Sequence, residues 1–581
     1  MKKNLLLIYL SIFSIFSFSQ EKLLKGKNLI NSNQLKFLKT NSEFGKINAI
    51  NNTTFEVITT VQPKFIFNSA SAIPLHKEAV GSGRVFLFSF MAKTTKASLE
   101  TGEAKLNILF KQSKSYKNNI VSTQSISSNW KKYYIPIQSD IQISKNDLGL
   151  VLHFGFRPQT FLIKDLKFEL YDKGVQLSQL PKTEITYTGM EADANWRKEA
   201  LKRIESIRKG SINVQFTKNG KPIVGKNVSI ELIKHSFPFG GAISARQVIE
   251  NPIAYQNFKK AFNHVVLEND LKIKSWQWEK KRTRTLQAIE ILNNDGYLVK
   301  GHVLIWPGFN YLTKEIKKNK SNPKKVTKII HNHLENILEA TNGKVSHWDV
   351  VNEAYTNKDL QKITGSEEIL FDGFRILKKK NPKIGAFTNE YGIISKGGLD
   401  TRKQQWYYNF VKRIDSVTNG LINGIGLQSH IGSDLTPPQK VLEILGFYAT
   451  LGKQISISEF TMDIQDAAIR EQYTRDFMIA AFSHPNVSEF IFWGCVKDER
   501  NKVDIYNQDF TVGAMGKAYF SLINKDWKTQ FTQQTNQKGI LKNRGFYGTY
   551  KYSFTNSEGD IVSGTFFLNP KNKNTIHIDL K

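Results

Sequence analysis

Three features of this 581-residue sequence predict an α/β protein: a (β/α)8 TIM barrel preceded by a β-sandwich and followed by a small β module. From His235 onward, apolar runs alternate with helical segments, and eight such units in roughly 290 residues is the count of a closed parallel barrel. Between residues 28 and 172 the apolar residues recur with period two and the runs end at Ser, Asn, Asp and Gly turns, which is the texture of a sandwich. Beyond residue 530, GFYGTYKYSFT and IVSGTFFLN revert to strands.

The elements follow in order. Residues 1–19, MKKNLLLIYLSIFSIFSFS, carry two lysines, a long apolar stretch and small residues before Gln20, the three-part pattern of an export signal with cleavage near Ser19 or Gln20. No later run is long and apolar enough to span a bilayer. A secreted protein is therefore expected, periplasmic, cell-surface or extracellular, with no membrane span after cleavage. Residues 28–172 form the sandwich, with VFLFSFMAKT, AKLNILFKQS, KKYYIPIQ, LGLVLHFGF and TFLIKDLKFELY as strands. There, Trp130, Tyr133 and Tyr134 read as core rather than as a stacking platform. Residues 173–195 are a polar linker. Residues 196–525 hold the barrel, led by a basic helix (residues 196–209) and a hairpin of SINVQFTK and NVSIELIK around an NGKP turn. Residues 530–581 are the small β domain.

Composition narrows the functional classes. A chain that is 40% hydrophobic and 12% aromatic can bury more than one core. Cys495 is the only cysteine, which rules out a disulfide framework and a cysteine-ligated zinc site. The net charge of +31 comes from lysines scattered through every region, so no nucleic-acid partner is expected, while acidic polysaccharide stays open. His331 and His333 lie two apart on a helical segment, a spacing that does not turn both to one ion. No metal, no cofactor and a monomer are expected.

The eight barrel strands read as FPFGGAI, FNHVVLEND, YLVKGHVLIW, VSHWDVVNEA, KIGAFTNEYG, GIGLQSHIG, QISISEFTMD and SEFIFWGCV. Chemistry in such a barrel sits at the C-terminal strand ends. Those ends hold Glu268, Asn269 and Lys272; His302 and Trp306; Asn352 and Glu353; Asn389, Glu390 and Tyr391; Gln428 and His430; Glu459; and Trp493. Two carboxylates, Glu353 and Glu459, among aromatic faces and amide or imidazole donors suit a sugar ring, which needs stacking surfaces and many hydroxyl partners.

The segments ENDLK, GHVLIW, WDVVNEA, GLQSH, ISEF and FWG, in order over about residues 235–525, resemble glycoside hydrolase family 10, whose characteristic members are endo-1,4-β-xylanases. The sandwich is similar in architecture to carbohydrate-binding modules joined to such barrels. The resemblance implies a retaining hydrolase acting on internal linkages of xylan or a related polysaccharide, with Glu353 as general acid and base and Glu459 as nucleophile. It implies that Asn352 binds the sugar 2-hydroxyl, that Lys272, His302 and Gln428 fix neighbouring hydroxyls, and that His430 orients Glu459. Glu268 and Asn269 would hold the next sugar, Tyr391 would line the site, and Trp306 and Trp493 would wall it. Retention needs the two carboxyl groups roughly 5 to 5.5 Å apart.

Two departures from the family pattern lie near the cleft. Pro307 stands where a His commonly follows the third-strand Trp, and GCVKDERNKVDIYNQDF after Trp493 offers Tyr506 in place of a second Trp. They leave a second expectation in view, a β-glycan-binding protein with weak or lost turnover.

Overall fold

Alternating burial along the N-terminal strands folds this region into two sheets packed on one core. The computed structural model describes residues 24–580 apart from 76, 98–103, 115–118, 127–129, 184, 185, 399, 433, 434, 463, 465, 499–501 and 571–574, so the export signal lies outside the described residues. The chain divides into two compact units at residues 184 and 185. In the first unit, one sheet runs Thr40–Ser42, Gly45–Ala49, Thr54–Thr59, Gln159–Leu170, Val85–Ala97 and Lys131–Gln138 in spatial order, with Lys27–Asn28 against Gln159–Leu170. The other runs Ala70–Pro74, Gly149–His153, Ala104–Lys111 and Ile120–Ile126. Phe86, Phe88, Phe110 and Phe168 interlock between them at ring separations of 5.1 to 6.2 Å. Tyr133 is core, stacked on Phe90 at 5.0 Å. Trp130 is not: it is 36% exposed, with the ammonium groups of Lys93 and Lys164 5.3 and 4.8 Å from its ring.

The expected linker is docked rather than free. Leu180 is buried with Val85, Leu87 and Tyr171, and the Thr183 N–H donates to the Tyr134 carbonyl at 2.9 Å. On the second unit, Tyr187 donates its hydroxyl to Asp476 at 2.8 Å.

The second unit departs from the sequence reading at the hairpin. Across the turn at Asn219 and Gly220, Lys209–Lys218 pairs with the short strand Lys221–Pro222, and Asn227–His235 crosses to a different sheet. Each strand buries one face, through Ile212, Val214 and Phe216 or through Val228, Ile230 and Leu232, so the two are better served on opposite sides of a shared core than side by side. The C-terminal strands complete both sheets. Ile540–Phe546 and Ile576–Leu580 flank Lys209–Lys218, while Gln530–Gln534 and Gly548–Thr555 flank Asn227–His235, with Ile561–Leu568 beyond. The β module is thus assembled from both ends of the unit. The leading helix, Asn195–Ile207, buries Trp196, Ala200 and Ile204, and its Arg197 pairs with Asp476 at 2.7 Å.

The barrel comprises eight parallel strands: β1 (Phe239–Ile243), β2 (His264–Leu267), β3 (Leu298–Ile305), β4 (His347–Asn352), β5 (Gly385–Glu390), β6 (Gly424–Leu427), β7 (Gln454–Met462) and β8 (Val487–Phe492). They pair in sequence, and β8 closes on β1 through Phe239 and Phe490. Burial on both faces explains why these strands read as largely apolar runs. At Gly301 of β3, an added Cβ would lie 2.3 Å from the Trp348 ring, so only glycine lets these strands pack. Among the described residues no helix is long and apolar enough to cross a membrane.

At the N-terminal end of the barrel interior, Glu489 of β8 lies 3.1 Å from His264 of β2, 3.0 Å from His347 of β4 and 3.0 Å from the Lys300 ammonium of β3. Lys300 in turn reaches Asp349 at 3.3 Å. Burial opposes the Glu489 charge, yet His347, Lys300 and their hydrogen bonds hold its carboxyl well below the usual carboxylate range. The Lys300 ammonium supplies the positive charge that this cluster of acids and imidazoles attracts. Glu489→Ala should destabilise the second unit by about 3 to 5 kcal/mol, because it takes from the buried Lys300 one of its two carboxylates and from His264 and His347 their shared acceptor. Urea unfolding followed by Trp fluorescence checks this, since all nine tryptophans except Trp130 lie in that unit.

Candidate active site

Successive residues of a strand point to opposite faces, so adjacent Asn352 and Glu353 could not both serve one site if β4 continued. It does not. Glu353 takes a left-handed backbone conformation, φ +55°, that non-glycine residues rarely adopt. The turn brings both side chains onto one donor: the Gln428 amide donates to Asn352 Oδ1 and to Glu353 Oε1, each at 3.1 Å. The turn is tied down by the Glu353 N–H donating to the Asn389 carbonyl at 2.9 Å and the Asn357 N–H donating to the Glu353 carbonyl at 3.1 Å.

Glu459, on β7, is gripped from two sides. Asn389 Nδ2 donates to its Oε1 at 2.7 Å, and Ser458 holds that amide by donating to Asn389 Oδ1 at 2.6 Å. His430 Nε2 lies 3.2 Å from Oε2, and its Nδ1 is 2.9 Å from Thr461 Oγ1. An ionised carboxylate only accepts, so a hydrogen bond between the two is donated by Nε2. Burial disfavours the charge of Glu459, but the His430 hydrogen bond and the positive potential of His302, His430 and Lys272 overcome it and lower its pKa. Glu353 moves the other way. Burial raises its pKa, the Glu459 charge adds to this, and the Gln428 hydrogen bond offsets part of it. Two identical side chains are thereby biased toward different protonation states.

The remaining predicted residues surround this pair. Lys272 donates to Asn269 at 2.7 Å and lies 4.9 Å from the Trp306 ring. Burial lowers its pKa against the pull of Glu459, Glu268 and Glu353. His302 bonds Asp349 through Nδ1 at 2.9 Å and meets the Trp493 ring edge-on at 5.0 Å. Tyr391 stands with its hydroxyl 3.4 Å from Thr356. Asn352 Nδ2 and Trp306 Nε1 are buried with no hydrogen-bond partner among the described residues. Orphaned buried donors at a cleft call for an acceptor from elsewhere, and sugar hydroxyls provide one.

Several residues at the site carried no assigned role in the sequence reading. Asn389 sat at a predicted strand end without a partner in view. Asn357 donates to Glu353 Oε2 at 3.3 Å, and Lys403, on the helix Thr401–Val417, pairs with Glu390 at 2.9 Å; neither has a local sequence signal. The WPGFN turn brings Tyr311 flat against Trp306, with ring centroids 3.5 Å apart. Burial and the nearby Glu353 charge raise the Tyr311 hydroxyl. Pro307, in the position where a His was expected, instead accepts the Leu360 N–H at 3.0 Å. Tyr506 does not line the cleft as a substitute aromatic; it is buried against Phe520.

Residues 229–508 match the family model described as Glycosyl hydrolase family 10. This chain carries a glycosyl hydrolase family 10 domain. It is similar to "Endo-1,4-beta-xylanase 1" of Arabidopsis thaliana, 26% identical over 395 residues that cover 66% of this chain and 40% of that protein. It is also similar to "Anti-sigma-I factor RsgI6" of Acetivibrio thermocellus, 27% identical over 387 residues that cover 64% of this chain and 49% of that protein. The chain thus spans about half or less of the length of these relatives. The xylanase 10B of Thermotoga petrophila RKU-1, solved in complex with xylobiose, aligns with 50% of this chain and 94% of that one at 21% identity, with a TM-score of 0.45.

In carboxyl titrations followed by carbon-13 NMR, Glu459 of the family 10 domain should titrate below, and Glu353 above, the ordinary glutamate value of about 4.3.

Proposed function

We propose that this protein is a retaining endo-β-1,4-xylanase. The observation that carries the reading is the placing of Glu353 and Glu459 near one another with different partners, Gln428 on Glu353 and Asn389 and His430 on Glu459, which gives the two carboxyl groups opposite electrostatic bias. In the first step, ionised Glu459 attacks the anomeric carbon while protonated Glu353 gives its proton to the departing glycosidic oxygen. Once Glu459 is esterified its negative charge is gone, and with it one cause of the raised Glu353 pKa. Glu353 then serves as base toward water, whose attack releases Glu459 and restores the starting state. His430 and Asn389 hold the nucleophile in place through both steps. The free amide hydrogens of Asn352 offer the 2-hydroxyl oxygen a hydrogen bond that orients the sugar ring.

The apolar leader at residues 1–19 supports export, and polymeric xylan as a substrate agrees with a site outside the cytoplasm. The matched relatives include proteins named as endo-1,4-β-xylanases, which supports the substrate class. A second reading, glycan binding with little turnover, is favoured by the Pro307 departure and by the relative named as an anti-sigma factor.

Reducing-sugar release from xylan separates the two. The parent should turn over, Glu459→Ala should abolish release, and Glu353→Ala should lower it by about 10²- to 10⁴-fold on the unactivated polymer. Xylan retention with no release in the parent establishes the binding reading. The rate should rise with pH as Glu459 ionises and fall as Glu353 loses its proton. His430→Ala, by removing a group that lowers the Glu459 pKa, should move the acidic limb to higher pH in a kcat/KM profile.

A further inference from the structure

Glu390 and Lys403 form a buried ion pair behind the turn that bears Glu353. Both side chains are almost wholly shielded from solvent, and their oxygen and nitrogen lie 2.9 Å apart. The pair adjoins Asn389 in β5, and its Glu390 carbonyl accepts the Gln428 N–H at 3.1 Å, but its side chains form no hydrogen bond with Glu459 among the described residues. Its bonds go to the backbone: Glu390 Oε2 accepts the Tyr355 N–H and Oε1 accepts the Tyr391 N–H, each at 3.2 Å. Tyr355 is two residues past Glu353, inside the segment that the left-handed Glu353 forces into a turn. The Lys403 ammonium lies 3.2 Å from the centre of the Tyr391 ring and 5.2 Å from that of Tyr355, so the rings of the same two residues enclose the cation.

A non-glycine residue at φ +55° persists only where its surroundings over-determine it. The ties here are the Asn389 carbonyl on the Glu353 N–H, the Asn357 N–H and its side-chain Nδ2 on the Glu353 carbonyl, and the Glu390 carboxylate on the Tyr355 N–H. Of the two side chains involved, Asn357 lies in the turn itself, whereas Glu390 is held by Lys403 from a helix outside the barrel sheet. A buried ion pair is an expensive way to stabilise a fold, and apolar residues of similar volume serve as well or better. Its use against this one turn requires another reason.

We propose that Glu390 and Lys403 are positioning residues that hold Glu353 in its strained turn, so that its carboxyl meets the glycosidic oxygen and, later, the attacking water. The proposal rests on the acid and base assignment of Glu353 given above. If the clamp loosens, proton transfer suffers while nucleophilic attack by Glu459 does not, because the Glu459 carboxylate is held by His430 and by Asn389, whose amide Ser458 fixes.

Substrates that differ only in their need for a proton test this. Xylohexaose has a sugar leaving group that must be protonated, whereas 2,4-dinitrophenyl β-xylobioside releases a stable phenolate that needs no proton. With Glu390→Gln, kcat on xylohexaose should fall about 10- to 100-fold, as for a displaced catalytic group, with KM within about twofold. On the aryl glycoside the first turnover should stay within about threefold of the parent, followed by a slow steady state that shows as a burst. Azide should relieve that slow phase: it attacks the glycosyl ester at the anomeric carbon, displaces the Glu459 carboxylate and needs no base. Lys403→Gln should give the same pattern and stands as the readout if Glu390→Gln does not fold by thermal melting. Unchanged xylohexaose turnover in a folded variant, or equal losses on both substrates in the first turnover, overturns the proposal. Glu353→Ala run alongside separates the two levels. If it keeps parental activity, the assignment of Glu353 is wrong; if it shows the selective loss and the clamp variants do not, only the clamp is.

Discussion

Two carboxyl groups close enough for the charge of one to act on the other cannot do different jobs unless their surroundings make them different, and much of the second unit serves that asymmetry. Glu459 is buried more deeply than Glu353, yet it is the one whose pKa is lowered. Burial alone would give the reverse order. The difference lies in donors: Asn389 and His430 reach Glu459 directly, and Lys272 and His302 add positive potential, whereas the hydrogen bonds to Glu353 come from the neutral amides of Gln428 and Asn357. Hydrogen bonding and charge thus outweigh desolvation at one carboxylate and not at the other.

The barrel makes this arrangement rigid. Asp349, in the middle of β4, holds His302 on the catalytic side and Lys300 on the opposite side, and Lys300 continues to Glu489 and the two imidazoles at the far end of the barrel. A file of alternating charges therefore crosses the interior from floor to cleft. Such a file costs desolvation and adds little net stability, but every member is paired, so each side chain has one orientation. His302 presents the same edge to Trp493 and the cleft because Asp349 has no freedom to release it.

Much of this was legible in the sequence, for a physical reason. A strand buried on both faces is mostly apolar, so the polar residues gathered toward the C-terminal ends, Asn352, Glu353, Gln428 and Glu459, stood out as a set. The eight barrel strands were readable on the same ground. What could not be read were partners that approach from elsewhere. Lys403 lies on a helix where lysine is unremarkable, and only the fold brings it to Glu390. The left-handed turn at Glu353 leaves no trace, since glutamate gives no hint of a positive φ. The split of Lys209–Lys218 and Asn227–His235 between two sheets also escaped, because a turn signal and two alternating strands are common to a hairpin and to facing strands of a sandwich. Trp130 was taken for core on its neighbours' account, although strand alternation ties only Tyr133 to the interior.

The account stands on Glu459 as the group that bonds to the sugar. Incubation with a 2-deoxy-2-fluoro-β-xylobioside bearing a dinitrophenyl leaving group, followed by proteolysis and mass spectrometry, reports that bond directly. A single fluorinated xylobiosyl adduct on the peptide containing Glu459, absent from Glu459→Ala, is the predicted result. Release of dinitrophenol with no adduct, or an adduct on Glu353 or any other carboxylate, would contradict it.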